Sequence, residues 1–466
     1  MDAFASSPAG VVRFDPDLVR KYDGFGPRYT SYPTADRFTD AFTADDYSTA
    51  LHARAGAATK LSLYVHVPFC STICFYCACN KVVTKNRAHA ARYIDYVLRE
   101  IALVASRVTG TRAVTQLHWG GGTPTFLSRE EMGKLMGALR AAFDVEADAE
   151  VSIEVDPRTV DEDGIAYLAS LGFNRLSLGI QDFDPAVQKA VNRIQGEAQT
   201  RALMDAARRH GFVSVNADLI YGLPKQSVEG FAATLDKVIA AGPDRIAIYS
   251  YAHLPHLFKP QRRIVESELP APAVKLDILG LAIAKLGDAG YVHIGMDHFA
   301  KPGDELAVAQ RERKLHRNFQ GYSTRPDTDL LAFGVSAIGK VGDAYMQNAK
   351  TLADYYDRLD AGELPVMRGV RLDADDVIRR DVIQRIMCDF DVDLEAVGRK
   401  YAIDAARYFE PELASLEPLT ADGLVETSQG MLRVTASGRL LVRNVAMTFD
   451  RRLREARAGQ RYSRVI

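Results

Sequence analysis

The chain has no long apolar run. None approaches the roughly 18 residues that span a bilayer, so no membrane helix is expected. It has no excess of charge of either sign: 58 Lys and Arg face 60 Asp and Glu, for a net charge of −2. Generic nucleic-acid binding favours a strongly basic chain, which this is not. The first residues, MDAFASSPAGVVRFDPDLVRKYDG, carry early acids and no apolar core segment, which argues against a secretory leader. Cysteine is scarce. There are five, and four crowd between Cys70 and Cys79. That is no disulfide framework, because bridges closing one to three residues would be strained. Internal repeats and low-complexity tracts are absent too. What remains is a globular composition, 47% hydrophobic and 25% charged, long enough for about two or three domains. Metal-bound thiolates in a reducing cytoplasm fit it best.

Residues 1–55 lack sustained periodicity. GFGPRYTSYPTADRF (Gly24–Phe38) is too aromatic for a linker and reads as an ordered, irregular arm. From about Leu61, short apolar runs alternate with helical patterns. Strands are expected over Leu61–Val67, Ala113–Gly121, Glu150–Pro157, Phe173–Gln181, Ser214–Gly222 and Asp244–Ala252. Helices are expected between them, as at Ala88–Val108 and Val228–Ala241. This alternation implies a parallel sheet with right-handed crossovers. Six or more such units suggest an α/β fold built as a partial or full (β/α) barrel, with a doubly wound sheet as the competing arrangement. From about Leu372 the pattern turns helical and then reads helix, strand, turn, strand, helix, which resembles a winged-helix module whose start is placed near residue 365. The expected division is an arm over 1–55, a β/α domain over 56–364 and a helical domain over 365–466.

The strand ends carry the chemistry. The first is followed by the cysteine loop. The second ends in GGGTP (Gly120–Pro124), the third carries Glu154, the fourth ends at Gln181 and the fifth carries Asp218. A single polar strand end is ordinarily a cap or a turn. Five in succession beside a thiol cluster point to a shared site at the C-terminal mouth of the barrel.

The loop reads CSTICFYCACNK, with thiols at Cys70, Cys74, Cys77 and Cys79. Structural zinc usually takes two separated pairs of ligands so that the chain can wrap the ion. Here all four sit within ten residues and no second group exists. One short loop can instead hold one side of a larger iron–sulfur cube. GGGTP permits close backbone approach; it is not a P-loop, since no Gly-Lys-Ser/Thr follows.

The Cys-x3-Cys-x2-Cys core with Phe75 and Tyr76 between its last thiols, set after the first strand of a β/α chain, resembles the radical S-adenosylmethionine (SAM) superfamily. The resemblance narrows with GPRYTSYPTA, YVHVPFC, CACNK, LHWGGGTPTFL, SIEVDPR, GFNRLSLGIQDF, VNR, DLIYGLPKQ, YAHLP, GMDHFAKPGDELAVAQ, HRNFQGY, DTDLLAFGVSAIG and the terminal YSRVI. Together these are similar to the oxygen-independent coproporphyrinogen III oxidases of haem biosynthesis, from about residue 20 onward.

The resemblance implies a [4Fe–4S] cluster held by Cys70, Cys74 and Cys77, with the fourth iron left open for SAM, and Cys79 outside the ligand set but needed for activity. It implies two SAM molecules. The first is expected to meet Tyr64, Gly121, Glu154 and Ile338; the second Tyr76 (often Phe in the family), Gly122, Thr123, Gln181, Arg193, Asp218 and Ala252. It implies oxidative decarboxylation of two propionates of coproporphyrinogen III to vinyl groups, giving protoporphyrinogen IX. A 5′-deoxyadenosyl radical would take a β-hydrogen before carbon dioxide and one electron leave. Gln320 is a candidate substrate contact, and Arg28, Arg317 and the Arg-rich end RRLREARAGQRYSRVI are candidate cations for the substrate carboxylates. The plain reading of that end is a solvated helix. Cys388 reads as core packing, His66 as a supporting donor beside the cysteine loop, and His118 and His253 as structural. A soluble monomer served by a low-potential electron donor is expected, with the C-terminal domain covering the barrel mouth. Two rival readings are a haem-binding chaperone of the related radical SAM group, which would lack the Cys-x-Cys-Asn-Lys feature, and a C-terminal nucleic-acid module.

Overall fold

The computed structural model describes residues 11–325, 328–455, 462 and 464. The chain forms two compact units, each discontinuous in sequence.

The larger unit takes residues 36–270 and 327–371. Six parallel strands alternate with five helices: β1 (Leu61–Val67), α1 (Ala88–Arg107), β2 (Ala113–Gly121), α2 (Arg129–Ala142), β3 (Asp144–Val155), α3 (Glu162–Ser170), β4 (Arg175–Gln181), α4 (Glu197–Arg209), β5 (Ser214–Tyr221), α5 (Val228–Ala241) and β6 (Arg245–Ser250). Neighbouring strands pair in sequence order. A seventh strand, β7 (Asp329–Phe333), pairs parallel on the outer edge of β1 and continues into an antiparallel run of β8 (Ile338–Val341), β9 (Ala344–Asn348) and β10 (Val366–Arg371). No pairing closes β6 onto β7 among the described residues, so this is a partial barrel rather than a full one.

The alternation expected from sequence is present because β1 is buried on both faces, as crossover helices require. Leu61, Leu63, Val65 and Val67 are fully covered; each such side chain contributes about 1.5–3 kcal/mol. The helices start where caps allow. Ser128 and Glu131 form a capping box on α2, and Ser227 caps α5, which ends at Gly242 in the left-handed region. β3 begins six residues earlier than expected. Its extra residues, Asp144–Ala149, alternate three acids with one Val and two Ala and are partly exposed, so they lack the apolar signal of a buried strand.

Residues 1–55 are less irregular than their sequence reads. Pro16–Tyr22 and Ala44–His52 are helices. The second is closed by a capping box with Asp46 where Glu is usual. Behind it, Arg54 is 3% exposed and donates Nε to Asp329 at 2.7 Å and its other nitrogens to the carbonyls of Thr59, Thr109 and Thr111.

The smaller unit gathers residues 1–35, 271–326 and 372–466. Its core includes Ile383, Ile386, Met387, Phe409, Leu432, Val445 and Phe449, on helices such as Ala374–Asp389 and Val442–Thr448. A three-stranded antiparallel sheet (Asp391–Asp393, Met431–Val434, Val425–Ser428) carries the strand–turn–strand expected near the end. Cys388 is buried there, as expected of packing. Of the Arg-rich end, Arg451 and Arg452 bind the fully buried carboxylate of Asp376, and Arg454 binds Glu412. These three arginines answer internal acids, which removes them as substrate cations. Residues 456–461, 463, 465 and 466, including most of YSRVI, lie outside the described residues.

Candidate active site

Parallel pairing points the C-terminal ends of β1 to β5 the same way. There the larger unit holds a cavity of about 560 Å³. Its wall includes Cys70, Cys74, Cys77, Cys79, Tyr76, Gly121, Gly122, Thr123, Glu154, Gln181, Arg193 and Asp218. These residues span Cys70 to Asp218 in sequence, yet the sheet brings them together.

The thiol loop is tied down at its base. Phe69–Cys70 pairs with Val82–Val83 as a short parallel clasp, with Val82 N donating to Pro68 O at 2.7 Å and Thr84 N to Cys70 O at 3.0 Å. Its middle is held from the other side. Asn192 donates to Ile73 O at 2.7 Å, Phe75 N to Val191 O at 3.0 Å, and Gln261 to the carbonyls of Tyr76 and Ala252 at 3.0 and 3.2 Å. Phe75 and Tyr76 pack on Val187, Val191, Leu223, Tyr251 and Ile264. The aromatics between the thiols thus anchor the loop to the barrel.

The sulfurs differ in their surroundings. Thr123 Oγ lies 3.5 Å from Cys70 Sγ. Cys74 Sγ receives Arg158 and Arg193, each at 3.5 Å. A hydrogen bond from Cys79 lowers the pKa of Cys77, and the Lys81 ammonium beside it helps; the same bond raises that of Cys79. Lys81 donates to the Cys77 and Cys79 carbonyls, both at 3.2 Å, which gives the lysine of CACNK a structural task. Among the described residues no three His, Cys, Asp or Glu side chains are grouped to hold a single ion. Three thiols spread along a cavity wall do suit the larger face of an iron–sulfur cube.

Asp156 and Arg158 escaped the sequence reading, although SIEVDPR contains both. Asp156 takes Arg158 through Nε and Nη2 at 2.9 and 2.6 Å, and Arg193 Nη1 at 3.1 Å. Burial acts to raise the Asp156 pKa, but the two arginines outweigh it and hold it low. One carboxylate therefore aims both guanidinium groups at Cys74. Arg193 also donates to Gly179 O at 2.6 Å.

The first-strand residues form a relay behind the glycines. Tyr64 stands opposite His118 in the β1–β2 register, and their rings stack at 5.9 Å. His118 approaches Glu154 at 3.5 Å and bonds Ser152 at 2.6 Å. His66 Nε2 donates to Asn80 O at 3.0 Å, so its Nδ1 accepts from Tyr64 Oη at 3.1 Å. Burial lowers the His66 pKa and keeps the ring neutral. His66 is thus the supporting donor expected, and it holds the residue next to Cys79. The Glu154 side chain is 48% exposed, into the open cavity; desolvation by its surroundings pushes it up, but His118 and the Gly121 N–H bring its pKa below the ordinary value. Burial dominates at Asp218, raising it to about 6 despite bonds from Ser177 and Asn216.

Tyr64, Ala252 and Ile338 do not line the cavity wall. Tyr64 sits behind it through His66, and Ala252 shares Gln261 with Tyr76. Ile338 opens β8 after a turn in which Glu100 accepts from Gly334 N at 2.7 Å. Gln320 belongs to the smaller unit. His253 is satisfied by Tyr251 and Glu266.

Residues 64–238 match the Radical SAM superfamily and residues 372–441 the HemN C-terminal domain. Proteins named oxygen-independent coproporphyrinogen III oxidase are 50% identical in Salmonella typhimurium (98% of this chain, 99% of the relative) and 50% identical in Escherichia coli (98% and 99%). The chain belongs to the oxygen-independent coproporphyrinogen III oxidase family. A solved structure of coproporphyrinogen III oxidase (HemN) from Escherichia coli, a radical SAM enzyme, superposes with a TM-score of 0.90 at 48% identity, covering 95% of this chain and all of that one. The relative from Pseudomonas aeruginosa is 49% identical over 98% of this chain and 99% of its own length. Membership of this radical SAM family implies a [4Fe–4S] cluster and SAM, and the four-thiol cavity is the place that fits them.

Proposed function

We propose that this chain oxidatively decarboxylates two propionate side chains of coproporphyrinogen III to vinyl groups, giving protoporphyrinogen IX. Each propionate loses one hydrogen atom, one carbon dioxide and one electron, the last to an acceptor. The observation that carries the reading is the cavity in which three thiols and a fourth, differently wired one meet the glycine run and two strand-end carboxylates. When bound, the cluster and SAM supply a reducing electron and a hydrogen-abstracting radical.

The chain's residues have distinct tasks in this reading. Cys70, Cys74 and Cys77 hold three irons. Asp156 fixes Arg158 and Arg193 against Cys74. Gly121 and Gly122 let cofactor approach the backbone, Glu154 and Asp218 accept ribose hydroxyls, and Arg193 faces a cofactor carboxylate. Two SAM molecules share the assigned residues: Tyr64, Gly121, Glu154 and Ile338 for one; Tyr76, Gly122, Thr123, Gln181, Arg193, Asp218 and Ala252 for the other. Cys79 stays outside the cluster and acts on substrate, with Gln320 as a further contact. The arm, β/α and C-terminal domains of 1–55, 56–364 and 365–466 are part of the same proposal. So are a cytoplasmic monomer, a low-potential electron donor, and no nucleic-acid or membrane partner; among the described residues no helix is long and apolar enough to cross a membrane.

Anaerobic reconstitution with iron and sulfide, followed by assay of coproporphyrinogen III with SAM and a reductant, tests the proposal. The expected product is protoporphyrinogen IX. A chain that binds haem but forms no vinyl groups under these conditions refutes it.

A further inference from the structure

β4 ends on a strained residue. Gln181 is not a glycine, yet it takes the left-handed region at φ 67°. Asp182 N donates back to Ile180 O at 2.9 Å, which closes a three-residue turn with Gln181 at its centre. Turns of this sense are rare and strained. The β4–β5 register slips at the same place, between Gly179 and Gln181. Glycine would take this conformation freely. The chain has a side chain there instead, and that side chain lines the cavity. A Cβ on Gly179 would lie 2.8 Å from both Gln181 Nε2 and Arg193 Nη2, so amide and guanidinium meet over one glycine.

What holds the turn lies behind the wall. Asp182 is 2% exposed. Its Oδ1 accepts from Asp184 N at 2.8 Å and from Thr234 Oγ1 at 2.6 Å, and its Oδ2 from Gln226 Nε2 at 2.6 Å. All three donors are neutral, and burial raises the Asp182 pKa despite them. Two more glutamines grip the adjoining backbone: Gln188 Nε2 donates to Asp182 O at 2.9 Å, and Gln195 Nε2 to Ile180 O at 2.5 Å. A buried carboxylate is costly, and strain persists only where the surroundings over-determine it. Both meet at the residue before and after one bond, beside the cavity.

We propose that Asp182 is a positioning residue that locks the strained turn and so aims the Gln181 amide at a SAM molecule. The inference rests on the proposed function, in which Gln181 meets SAM, and adds the group that sets its aim. The isosteric amide cannot replace Asp182. Gln226 is fixed by Leu223 N on its Oε1 and by its own bond to Ile220 O, both at 2.8 Å. Its other N–H and the Asp184 N–H each need an acceptor on opposite oxygens of residue 182, and an amide offers one oxygen and one NH2.

The test measures SAM binding to the cluster-loaded full chain by equilibrium dialysis, with melting temperature and cluster absorbance beside it. Gln181→Gly is expected to melt no lower than the parent, because the turn is relaxed, and to raise the SAM Kd about 10-fold. Asp182→Asn should also raise the SAM Kd about 10-fold and leave the cluster absorbance unchanged. Added to Gln181→Gly, Asp182→Asn should change the SAM Kd by less than about twofold, because its effect runs through the amide. Thr234→Val removes one donor at nearly constant volume. It should weaken SAM binding a few-fold with the same dependence on Gln181, and it carries the test if Asp182→Asn does not fold. An unchanged Kd in Asp182→Asn and Thr234→Val, equal losses with and without the Gln181 side chain, or a Gln181→Gly chain melting several degrees below the parent overturns the inference. Any of these in a parent that binds SAM refutes only the positioning role; a parent that binds no SAM refutes the proposed function itself.

Discussion

Gly122→Ala is the sharpest test of how the glycine run serves the thiol loop. A Cβ at Gly122 would lie 2.7 Å from Pro68 O, 2.8 Å from Pro68 C and 2.9 Å from Phe69 O. All three are backbone atoms, so no rotamer relieves the clash. Reaching an ordinary 3.4 Å contact requires the chain to move by about 0.7 Å (3.4 less 2.7). Pro68 O is also the acceptor for Val82 N, and Gly122 N donates to Val67 O at 2.8 Å, so the shift strains the clasp that closes the loop. Overpacking of this kind costs about 1–3 kcal/mol. A weakened buried hydrogen bond adds about 0.5–1.5 kcal/mol. The total, about 1.5–4.5 kcal/mol, falls on the loop that presents Cys70. We expect calorimetric melting to drop by several degrees and iron per chain after anaerobic reconstitution to fall. Gly137→Ala is the control: it lies within α2 with nothing inside 4 Å of its would-be Cβ, and should stabilise by about 0.5–1 kcal/mol with full iron loading. Parental melting and parental iron content in Gly122→Ala would refute the reasoning.

Cys74→Ser should lose the cluster absorbance, whereas Cys79→Ser should keep it and lose turnover; loss of the cluster in both would overturn the three-ligand arrangement. Arg54→Met should destabilise the chain by about 3–5 kcal/mol, because it strands the buried carboxylate of Asp329; denaturant unfolding measures it, and a loss under 1 kcal/mol contradicts it. Asp218, raised to about 6, holds its proton below that pH in the ligand-free protein. SAM binding should therefore tighten about tenfold per unit as pH rises toward 6 and level off above, a slope that Asp218→Asn should abolish in titrations from pH 5 to 8. For folding the sign is opposite: the raised pKa contributes stability below the ordinary 3.8, lost as pH passes 6.

The barrel strands were legible because burial on both faces demands unbroken apolar runs, and β1 and β2 fall at the expected residues. The Ala44–His52 helix was not, since its signal is a Thr43–Asp46 box and a face too short to show a period. The thiols and strand-end residues announced themselves by type and place. His118 did not, because a single histidine in a strand carries no mark. It reaches Tyr64 and Glu154 only through parallel register, which is a property of the sheet rather than of any segment. Asp156 and Arg158 lie in a motif that was read, yet they meet Cys74 together with Arg193, far along the chain, and no local pattern marks that convergence. The arginines of the C-terminal end show the reverse: a basic run suggested a ligand, and Asp376 and Glu412 already answer it.

The clasp at Phe69–Cys70 and Val82–Val83 has a bearing on upkeep. Where metal ligation itself folds a loop, losing the metal unfolds it. Here protein hydrogen bonds close the loop at its base and grip its middle at Ile73, Phe75 and Tyr76. Closure of the loop therefore rests on hydrogen bonds that the protein itself supplies. A chain stripped of iron in air is then expected to take up iron and sulfide again, which iron per chain after a second anaerobic reconstitution checks.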